Sequence, residues 1–380
     1  MSLDRVTGGG SVERTFQMSR SLVKAGHECT ILTTNIGVTP ERIRELEGVT
    51  IVALVCLSRR FYVPKFKYKE IEDLVRDADV IHLMTHWTFL NALVYFIARR
   101  CKKPYVVCPA GVLLIYGRSR AAKTLYNWII GRRLVRNAAR HIAITADEIP
   151  QFRTYGVRND SVTIIPNGID PKDFQDDRAD EFRAKFGLAG VPFILFMGRL
   201  NAAKGPDLLL RAFCNARDSL VPYHLVFAGP DENMLMELRE IAAEYNVGDR
   251  VHFLGYIGGV DKSRAYYAAD LLVIPSRREA MSIVVLEAGI TGTPVLMTDQ
   301  CGFNAVAEAG GGVITAASVG GLEKGLVDLL GNSVDLKTRG QKLKAYVSNH
   351  FLWDSIIGRY IQLYKELSWS GLDPKTQAKR

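Results

Sequence analysis

The feature that most constrains the fold is an alternation of short Val- and Ile-rich runs with longer amphipathic stretches, repeated along most of the 380-residue chain. Runs of this length and composition are typical of buried parallel strands, and the stretches between them have helical spacing. In the first half we predict helices at 11–25 and 121–137 and strands at 29–33, 50–54, 80–83, 105–108, 141–144 and 162–165. This alternation indicates an α/β fold with parallel sheets.

The alternation is interrupted at residues 165–171, where two prolines and an Asn-Gly pair prevent a strand or helix from continuing. A second series follows, with predicted strands at 193–197, 224–228, 251–254, 271–274 and 295–297 and helices at 206–217, 234–245, 263–268 and 282–290. We therefore predict two Rossmann-like, doubly wound domains, at residues 1–165 and 166–350, that face each other across a ligand-binding cleft.

The remaining segment, 351–380, contains an amphipathic helix that carries Trp353, Tyr360 and Tyr364. These aromatic side chains are more than the second domain needs for its own core. We predict that the helix crosses back to the first domain.

Composition excludes several classes of protein. The longest apolar runs are shorter than the roughly 20 residues that cross a bilayer. The first residues lack the apolar core of a secretory signal, which predicts a cytoplasmic protein. Six cysteines without paired short spacings predict neither disulfides nor a zinc site, and no nucleic acid is expected as a partner.

The net charge of +9 is unevenly distributed, since residues 80–146 contain no Asp or Glu. The cations of this stretch are Arg99, Arg100, Lys102, Lys103, Arg118, Arg120, Lys123, Arg132, Arg133, Arg136 and Arg140. They are interleaved with apolar residues that look exposed, such as Leu113, Leu114, Ile115 and Tyr116. Such a stretch is expected to bind an anionic surface, here the inner membrane face. The alternative is a solvated face with acidic neighbours from elsewhere in the fold.

The most informative segment for chemistry is 274–288. A strand ends at Pro275, the following loop carries Glu279, and a helix opens at Ser282 with Glu287 on its second turn. The first N–H groups of this helix, near Ile283 and Val284, are predicted to bind phosphate.

Two cations follow the strand predicted to end at residue 197. Arg199 and Lys204 flank one loop at the carboxyl end of this strand, where a diphosphate would lie. Their charge-assisted hydrogen bonds would stabilise the charge that develops on a leaving nucleoside diphosphate. The pair is therefore predicted to be catalytic as well as ligand-binding.

Three further positions are candidates for a site. Gly9 and Gly10 open the first helix and would let backbone approach a phosphate, or they belong to a flexible leader. His86 follows the strand predicted at 80–83 and is a candidate catalytic residue, although a lone histidine there is more often structural. The acidic pair Asp77 and Asp79 precedes that strand and so lies at the wrong end of the sheet for a metal site, and no metal is expected.

The motifs together resemble glycosyltransferase family four. Two glutamates separated by seven residues follow Pro-Ser and precede Gly-Thr-Pro-Val, as in that family. The other matching motifs are Gly9-Gly10-Ser11-Val12-Glu13-Arg14, Ala25-Gly26-His27-Glu28, Pro166-Asn167-Gly168-Ile169-Asp170, Gly198-Arg199-Leu200 with Lys204-Gly205, and Phe253-Leu254-Gly255. The resemblance covers nearly the whole chain.

The resemblance implies a GT-B fold and transfer of a sugar from a nucleotide diphospho-sugar with retention of anomeric configuration. It places Glu279 beside the donor sugar and Glu287 on the ribose hydroxyls of the nucleotide, while Arg199 and Lys204 hold the diphosphate. No cofactor or metal is implied. With the acid-free basic stretch, it favours a lipid-linked or oligosaccharide acceptor, in bacterial surface polysaccharide or lipopolysaccharide assembly on the inner membrane face.

Three departures from the family keep alternatives open. Ala110 stands where many relatives have a histidine facing the donor sugar, and residues 280–282 replace the usual glycine and aromatic. Only six residues precede Thr7, so the first strand is predicted to be truncated. The alternatives are a sugar-nucleotide epimerase or disaccharide synthase on the same fold, and a catalytically silent subunit that binds nucleotide sugars.

Overall fold

The computed structural model describes residues 2–6, 8–59, 62–115 and 119–370. The chain divides into two compact units: unit 1 comprises Met1–Asn167 and Trp353–Arg380, and unit 2 comprises Gly168–Leu352. Tyr116 and Arg118 of the predicted basic stretch, and 371–380 of the predicted C-terminal segment, lie outside the described residues.

Unit 1 is an α/β structure built mostly from parallel strands. Its strands are β1 (Cys29–Thr34), β2 (Val49–Leu54), β3 (Cys56–Ser58), β4 (Val63–Pro64), β5 (Ile81–Met84), β6 (Tyr105–Cys108), β7 (Arg140–Ala143) and β8 (Val162–Ile164). Its helices up to the linker are α1 (Gly9–Lys24), α2 (Pro40–Glu45), α3 (Tyr68–Asp77), α4 (Phe89–Arg100), α5 (Arg120–Tyr126), α6 (Arg132–Arg136) and α7 (Ile149–Arg153).

The strands of unit 1 form separate sheets. Strands β5, β6, β7 and β8 make a four-stranded parallel sheet in that order, β1 pairs with β2 in parallel, and β3 pairs with β4 as an antiparallel hairpin. Every residue of β6 is buried, as its unbroken apolar run requires. The described residues 2–6 form no strand, and the Leu3 N–H donates to the Ile36 carbonyl at 3.0 Å.

The helix predicted at 121–137 is a helical run in three parts. Helices α5 and α6 are joined by a π-helical turn, Asn127–Gly131. Sequence periodicity does not reveal such a turn, because one extra residue only shifts the pattern of buried positions. The prediction that Leu113 is exposed is wrong, because its side chain is 1% exposed and belongs to the core of unit 1.

Unit 2 contains one parallel sheet of six strands, in the order β11-β10-β9-β12-β13-β14. The strands are β9 (Phe193–Met197), β10 (His224–Ala228), β11 (Val251–Gly255), β12 (Leu271–Ile274), β13 (Val295–Thr298) and β14 (Gly312–Thr315). The helices are α8 (Ala179–Lys185), α9 (Pro206–Asn215), α10 (Leu235–Glu244), α11 (Val260–Ala268), α12 (Ile283–Thr291), α13 (Ala305–Glu308), α14 (Val319–Leu330) and α15 (Ser333–His350). The sequence did not predict β14, whose apolar run is short and follows glycines.

The last helix, α16 (Trp353–Ser370), returns to unit 1 and packs against α1. Trp353 and Tyr360 are buried in this contact, as their aromatic character predicted. Arg14 of α1 is also fully buried there, and its guanidinium donates to the Tyr360 hydroxyl, to the Ile165 carbonyl at 2.9 Å and to Asn167 Oδ1 at 2.5 Å. Within unit 1, these bonds tie α1 and α16 to the start of the linker.

Candidate donor site at the carboxyl edge of the six-stranded sheet

The predicted donor-site residues of unit 2 collect at the carboxyl ends of β9 and β12. These strands are neighbours, and the strand order reverses between them, because β10 and β11 lie on one side and β13 and β14 on the other. Ligands of open parallel sheets bind at such a switch point. The loop after β9 carries Arg199 and Lys204, and the loop after β12 carries Glu279.

Glycines allow these loops to pack backbone against backbone. Gly205 has φ +66°, and a Cβ there would lie 2.1 Å from the Pro275 carbonyl oxygen. Gly302 has φ +57°, and a Cβ there would lie 2.2 Å from the Ala280 carbonyl oxygen. Only glycine fits such positions without displacement. The loop that carries Glu279 is therefore in close backbone contact with Gly205 at its start and with Gly302 just after Glu279.

Lys204 and Glu279 form an ion pair at the centre of these loops. The Nζ of Lys204 lies 2.6 Å from Glu279 Oε1, and the Ser276 hydroxyl donates to Glu279 Oε2 at 3.1 Å. The Glu279 side chain is 14% exposed, so water competes weakly for the pair. The two residues predicted to be catalytic are thus in direct contact.

Arg199 is held by a carboxylate that the sequence motifs do not include. Its Nη1 lies 2.8 Å from Glu232 Oε1, and Asn201 Nδ2 donates to Glu232 Oε2 at 2.7 Å. Glu232 lies shortly after the end of β10, behind Gly229-Pro230. This position past a strand end was the one sequence signal that could have identified it as a site residue.

The N-terminus of α12 contains an unsatisfied polar group. Ser282 caps this nine-residue helix in an extended conformation, and its side chain is fully buried. Among the described residues, its Oγ has no hydrogen-bond partner. A buried hydroxyl without a partner costs roughly 1–3 kcal/mol. The N–H groups of Ile283 and Val284 lie in the first turn of this helix, and the phosphate site predicted there stays a prediction.

Glu287 lies on α12 and is almost completely buried. Its Oε1 accepts from Lys262 Nζ at 2.5 Å, and its Oε2 accepts from the Tyr266 hydroxyl at 2.5 Å. Burial, together with the Glu287 charge, raises the pKa of Tyr266 well above its usual value, so this phenol remains a donor. Lys262 and Tyr266, four residues apart on α11, were not found by sequence reasoning, since a Lys and a Tyr at helical spacing have no distinctive pattern.

The other predicted site residues lie in unit 1. Gly9 and Gly10 form the first turn of α1. His86 is 1% exposed, and its Nε2 lies 2.9 Å from Asn127 Oδ1 in the π-helical turn. Burial lowers the pKa of His86 to about 4, which keeps the imidazole neutral near pH 7. These contacts give His86 a structural role, while its catalytic role stays a prediction.

The loop after β6, which contains Ala110, is held by a buried carboxylate. Glu148 accepts from the Gly111 N–H and from the Ile144 N–H, the latter at 2.7 Å. Burial raises the pKa of Glu148. Because Ala110 and Gly111 both have positive φ, at +50° and +86°, the loop takes a sharp bend that these bonds fix. Glu148 belongs to no sequence motif, so this contact was not predicted.

Unit 1 also has a concave site at the carboxyl ends of β1 and β2. A cavity of about 390 Å³ is lined by Asp4, Asn35, Ile36, Gly37, Cys56 and Arg59. Its lining is mostly polar.

Neither a metal cluster nor a membrane-spanning helix occurs in the described part of the chain. In residues 2–6, 8–59, 62–115 and 119–370, no group of three or more His, Cys, Asp or Glu side chains is arranged to hold a metal ion. Over the same ranges, no helix has the length and apolar character needed to cross a membrane.

Family models match both halves of the chain. Residues 9–168 match the glycosyl transferase 4-like domain, and residues 178–345 match the glycosyl transferases group 1 model. The chain carries these two glycosyltransferase domains. Arg199, Lys204, Glu279 and Glu287 all lie in the group 1 domain, whereas Gly9, Gly10 and His86 lie in the 4-like domain.

Relatives of the chain include proteins with glycosyltransferase names. A D-inositol 3-phosphate glycosyltransferase of Nocardia farcinica is 30% identical over 63% of this chain and 55% of its own length. The uncharacterized glycosyltransferase MJ1607 of Methanocaldococcus jannaschii is 25% identical over 95% of both chains. This chain thus spans little more than half the length of the Nocardia relative.

A solved structure shares the whole fold. The crystal structure of Anabaena Alr3699/HepE in complex with UDP and glucose superposes with a TM-score of 0.79, over 95% of this chain and 97% of that one, at 17% identity. The prediction of a GT-B fold with two Rossmann-like domains is confirmed.

Proposed function

We propose that the protein is a retaining glycosyltransferase that moves a sugar from a nucleotide diphospho-sugar to a lipid-linked glycan, as a step in bacterial surface polysaccharide or lipopolysaccharide assembly. The observation that carries this proposal is the cluster at the carboxyl edge of the unit 2 sheet. Two cations, a helix N-terminus with an orphaned buried hydroxyl, and Glu279 lie on adjoining loops.

In this proposal the donor diphosphate is bound by Arg199, Lys204 and the first N–H groups of α12. Charge-assisted bonds of this kind are the strong hydrogen bonds of proteins. The ribose hydroxyls bind Glu287, whose two oxygens keep lone pairs beyond those used by Lys262 and Tyr266. The UDP and glucose in the HepE complex support a nucleotide-sugar donor.

Transfer on one face of the sugar needs no separate general base. The C1–O bond to the β-phosphate breaks, the acceptor oxygen bonds to C1 on the same face, and the acceptor proton passes to the departing phosphate oxygen. Lys204 and Arg199 neutralise the charge that grows on this phosphate. For that, Lys204 must exchange its present bond to Glu279 for one to phosphate, which leaves the carboxylate beside the sugar.

The proposed acceptor binds unit 1. Its sugar hydroxyls fit the polar cavity at the ends of β1 and β2, and the acid-free basic stretch fits the anionic membrane face where lipid-linked glycans reside. A second candidate acceptor is a soluble phosphorylated polyol, which the name of the Nocardia relative favours. It predicts transfer without any lipid.

A thermal-shift screen with UDP-, GDP- and ADP-sugars tests donor binding, because a ligand of the folded state raises the melting temperature. The donor that binds is then incubated with a membrane glycolipid extract or with inositol phosphates, and the anomer of the product is read by NMR. We expect a retained anomer on the lipid fraction. Binding without any turnover would indicate a silent subunit, and turnover without acceptor to a rearranged nucleotide sugar would indicate an epimerase.

A further inference from the structure

The helical run from α5 to α6 exposes an apolar stripe followed by a basic one. Leu125, Trp128 and Ile129 are exposed on one side of the run, and Trp128 is 80% exposed. The next exposed positions on that side are Arg132, Arg133 and Arg136. The opposite side is buried in the core of unit 1 through Ile130, Leu134 and Val135. The exposed stripe is therefore not needed to hold the run on its unit.

Helix α4 lies beside this run and widens the stripe. The Tyr126 hydroxyl donates to the carbonyl of Thr88, which caps the start of α4, and Asn137 Nδ2 donates to the Tyr95 hydroxyl further along it. The two helical segments thus run side by side in the same direction. Helix α4 exposes Phe89 and Phe96, with Phe96 58% exposed.

We define the two-helix face as Phe89, Phe96, Leu125, Trp128 and Ile129, all exposed large apolar side chains. Beyond it, toward the C-terminal ends of both segments, lie the exposed residues Arg99, Arg100, Arg132, Arg133 and Arg136. Helix α3, which also packs against α4, carries acidic residues, among them Glu70 in its first turn. Exposed apolar side chains bordered by charges of one sign are typical of a binding surface.

We propose that the two-helix face inserts into the headgroup region of an anionic bilayer, with the arginine rim on the lipid phosphates. This inference deepens the proposed function, since it rests on a lipid-linked acceptor. Tryptophan and phenylalanine at the surface of an amphipathic element favour the membrane interface, and flanking arginines bind anionic headgroups. A protein partner would need an apolar patch of matching shape with acidic residues placed opposite the arginines. An anionic bilayer offers apolar acyl chains and negatively charged headgroups without any need for a matching shape.

The test is co-sedimentation of the full chain with vesicles of phosphatidylcholine, alone or with about one-third phosphatidylglycerol, across a salt series. The face variant is Leu125→Ser with Trp128→Ser and Ile129→Ser. The matched control is Met236→Ser with Val334→Ser, which removes two apolar side chains of unit 2 that are as exposed, at 68% and 75%. Circular dichroism checks that all the proteins are folded.

We expect the wild type and the control to bind anionic vesicles, and the face variant to partition at least about tenfold more weakly. A fraction of the wild-type binding should survive high salt, because the apolar contact is not screened. Trp128 emission should shift to the blue with anionic vesicles, and Trp128→Phe should bind without that shift. Equal partitioning of face variant and control, or no blue shift, would overturn the inference.

Sedimentation velocity without lipid tests the competing occupant. If the wild type is a dimer that the face variant converts to a monomer, the face is an interface between two copies and the inference is wrong. Donor binding by thermal shift is measured separately on the same samples. Donor turnover by a wild type that does not bind anionic vesicles overturns this inference alone, whereas vesicle binding by a wild type without any donor binding or turnover contradicts the proposed function.

Discussion

Single residues at the donor site are held in charge pairs. Lys204 pairs with Glu279 and Arg199 with Glu232, each at less than 3 Å. A cation that is already paired is oriented, and it gives up one carboxylate contact when it binds a phosphate. The carboxylates thus orient both cations before a ligand binds. The affinity for phosphate depends on how much stronger the contacts to phosphate are than the carboxylate contacts that they replace.

We predict that Lys204→Ala lowers turnover roughly ten- to a hundredfold, since a charge-assisted contact is worth about 1.5–3 kcal/mol. Steady-state kinetics on the preferred donor measures the effect. Lys337→Ala, which removes an exposed lysine on α15, is the control and should be silent. Equal rates for the two variants would remove Lys204 from the site.

Acid should destabilise the protein through His86. Its pKa is lowered from 6.5 to about 4 in the folded chain, so the unfolded chain takes up the proton first as pH falls. Stability from the neutral imidazole is fully present above about pH 6.5 and is lost toward pH 4, by about 3 kcal/mol. His86→Gln keeps a donor for Asn127 but cannot titrate, so urea unfolding should show a flatter pH dependence. The same slope in both proteins would contradict this. Transfer should persist in the variant if His86 is structural, and fail if it is catalytic.

The sequence predicted those site residues that belong to a recognisable motif. Arg199, Lys204 and Glu279 follow strand ends, and the structure places them on adjoining loops of unit 2. Glu287 lies on α12, the helix that follows the Glu279 loop. Their partners Glu232, Lys262 and Tyr266 were not predicted, because a partner is chosen by distance in the folded chain and not by sequence spacing.

At the scale of secondary-structure elements, the positions of the site residues are fixed by loops whose backbones are in direct contact. At Gly205 the loop after β9 meets the Pro275 carbonyl, so any side chain there pushes the Lys204 and Glu279 loops apart. This contact exists because β9 and β12 are neighbours in the sheet. The sequence of either loop alone does not predict that pairing.

Gly205→Ala should therefore cost far more than an equivalent change elsewhere. Gly187 has a similar φ, +69° against +66°, but no atom lies within 4 Å of the point that a Cβ there would occupy. We expect Gly187→Ala to lose about 1 kcal/mol from backbone strain, and Gly205→Ala at least about 2 kcal/mol more from overlap. Urea denaturation of both variants checks this, and equal losses would contradict it.

At the same scale, most strands could be predicted and a few elements could not. β6, β9, β10 and β12 were predicted at their observed bounds, because a short apolar run between two helical stretches is typical of a buried parallel strand. The π-helical turn and β14 could not, because one extra residue in a helix and a short run after glycines leave almost no trace in the periodicity.

For the whole molecule, the return of α16 to unit 1 makes the C-terminal helix part of the first core. Arg14 is the centre of this contact, buried with bonds to the linker and to Tyr360. The aromatic residues of the last segment predicted the crossing, but no pattern in the sequence indicates that a buried arginine holds it.

We predict that Arg14→Met destabilises unit 1 by about 3 kcal/mol, because three acceptors lose their buried donor. Lys24→Met removes the exposed ion pair between Lys24 and Asp354, which joins the same two helices. That control should change stability by less than about 1 kcal/mol. Thermal unfolding of both variants measures the difference, and a loss as small for Arg14→Met as for the control would refute the central position of Arg14.

The central claim is that the unit 2 cluster transfers sugar, and the most direct measurement is the rate of nucleoside diphosphate release from the preferred donor in the presence of acceptor. Glu279→Gln keeps the shape of the side chain but removes the charge beside the sugar, while Glu240→Gln makes the same change at an exposed position on α10. We predict that Glu279→Gln binds the nucleotide as the wild type does and loses most of the release rate, whereas Glu240→Gln keeps it. Release by Glu279→Gln at the wild-type rate would contradict the account.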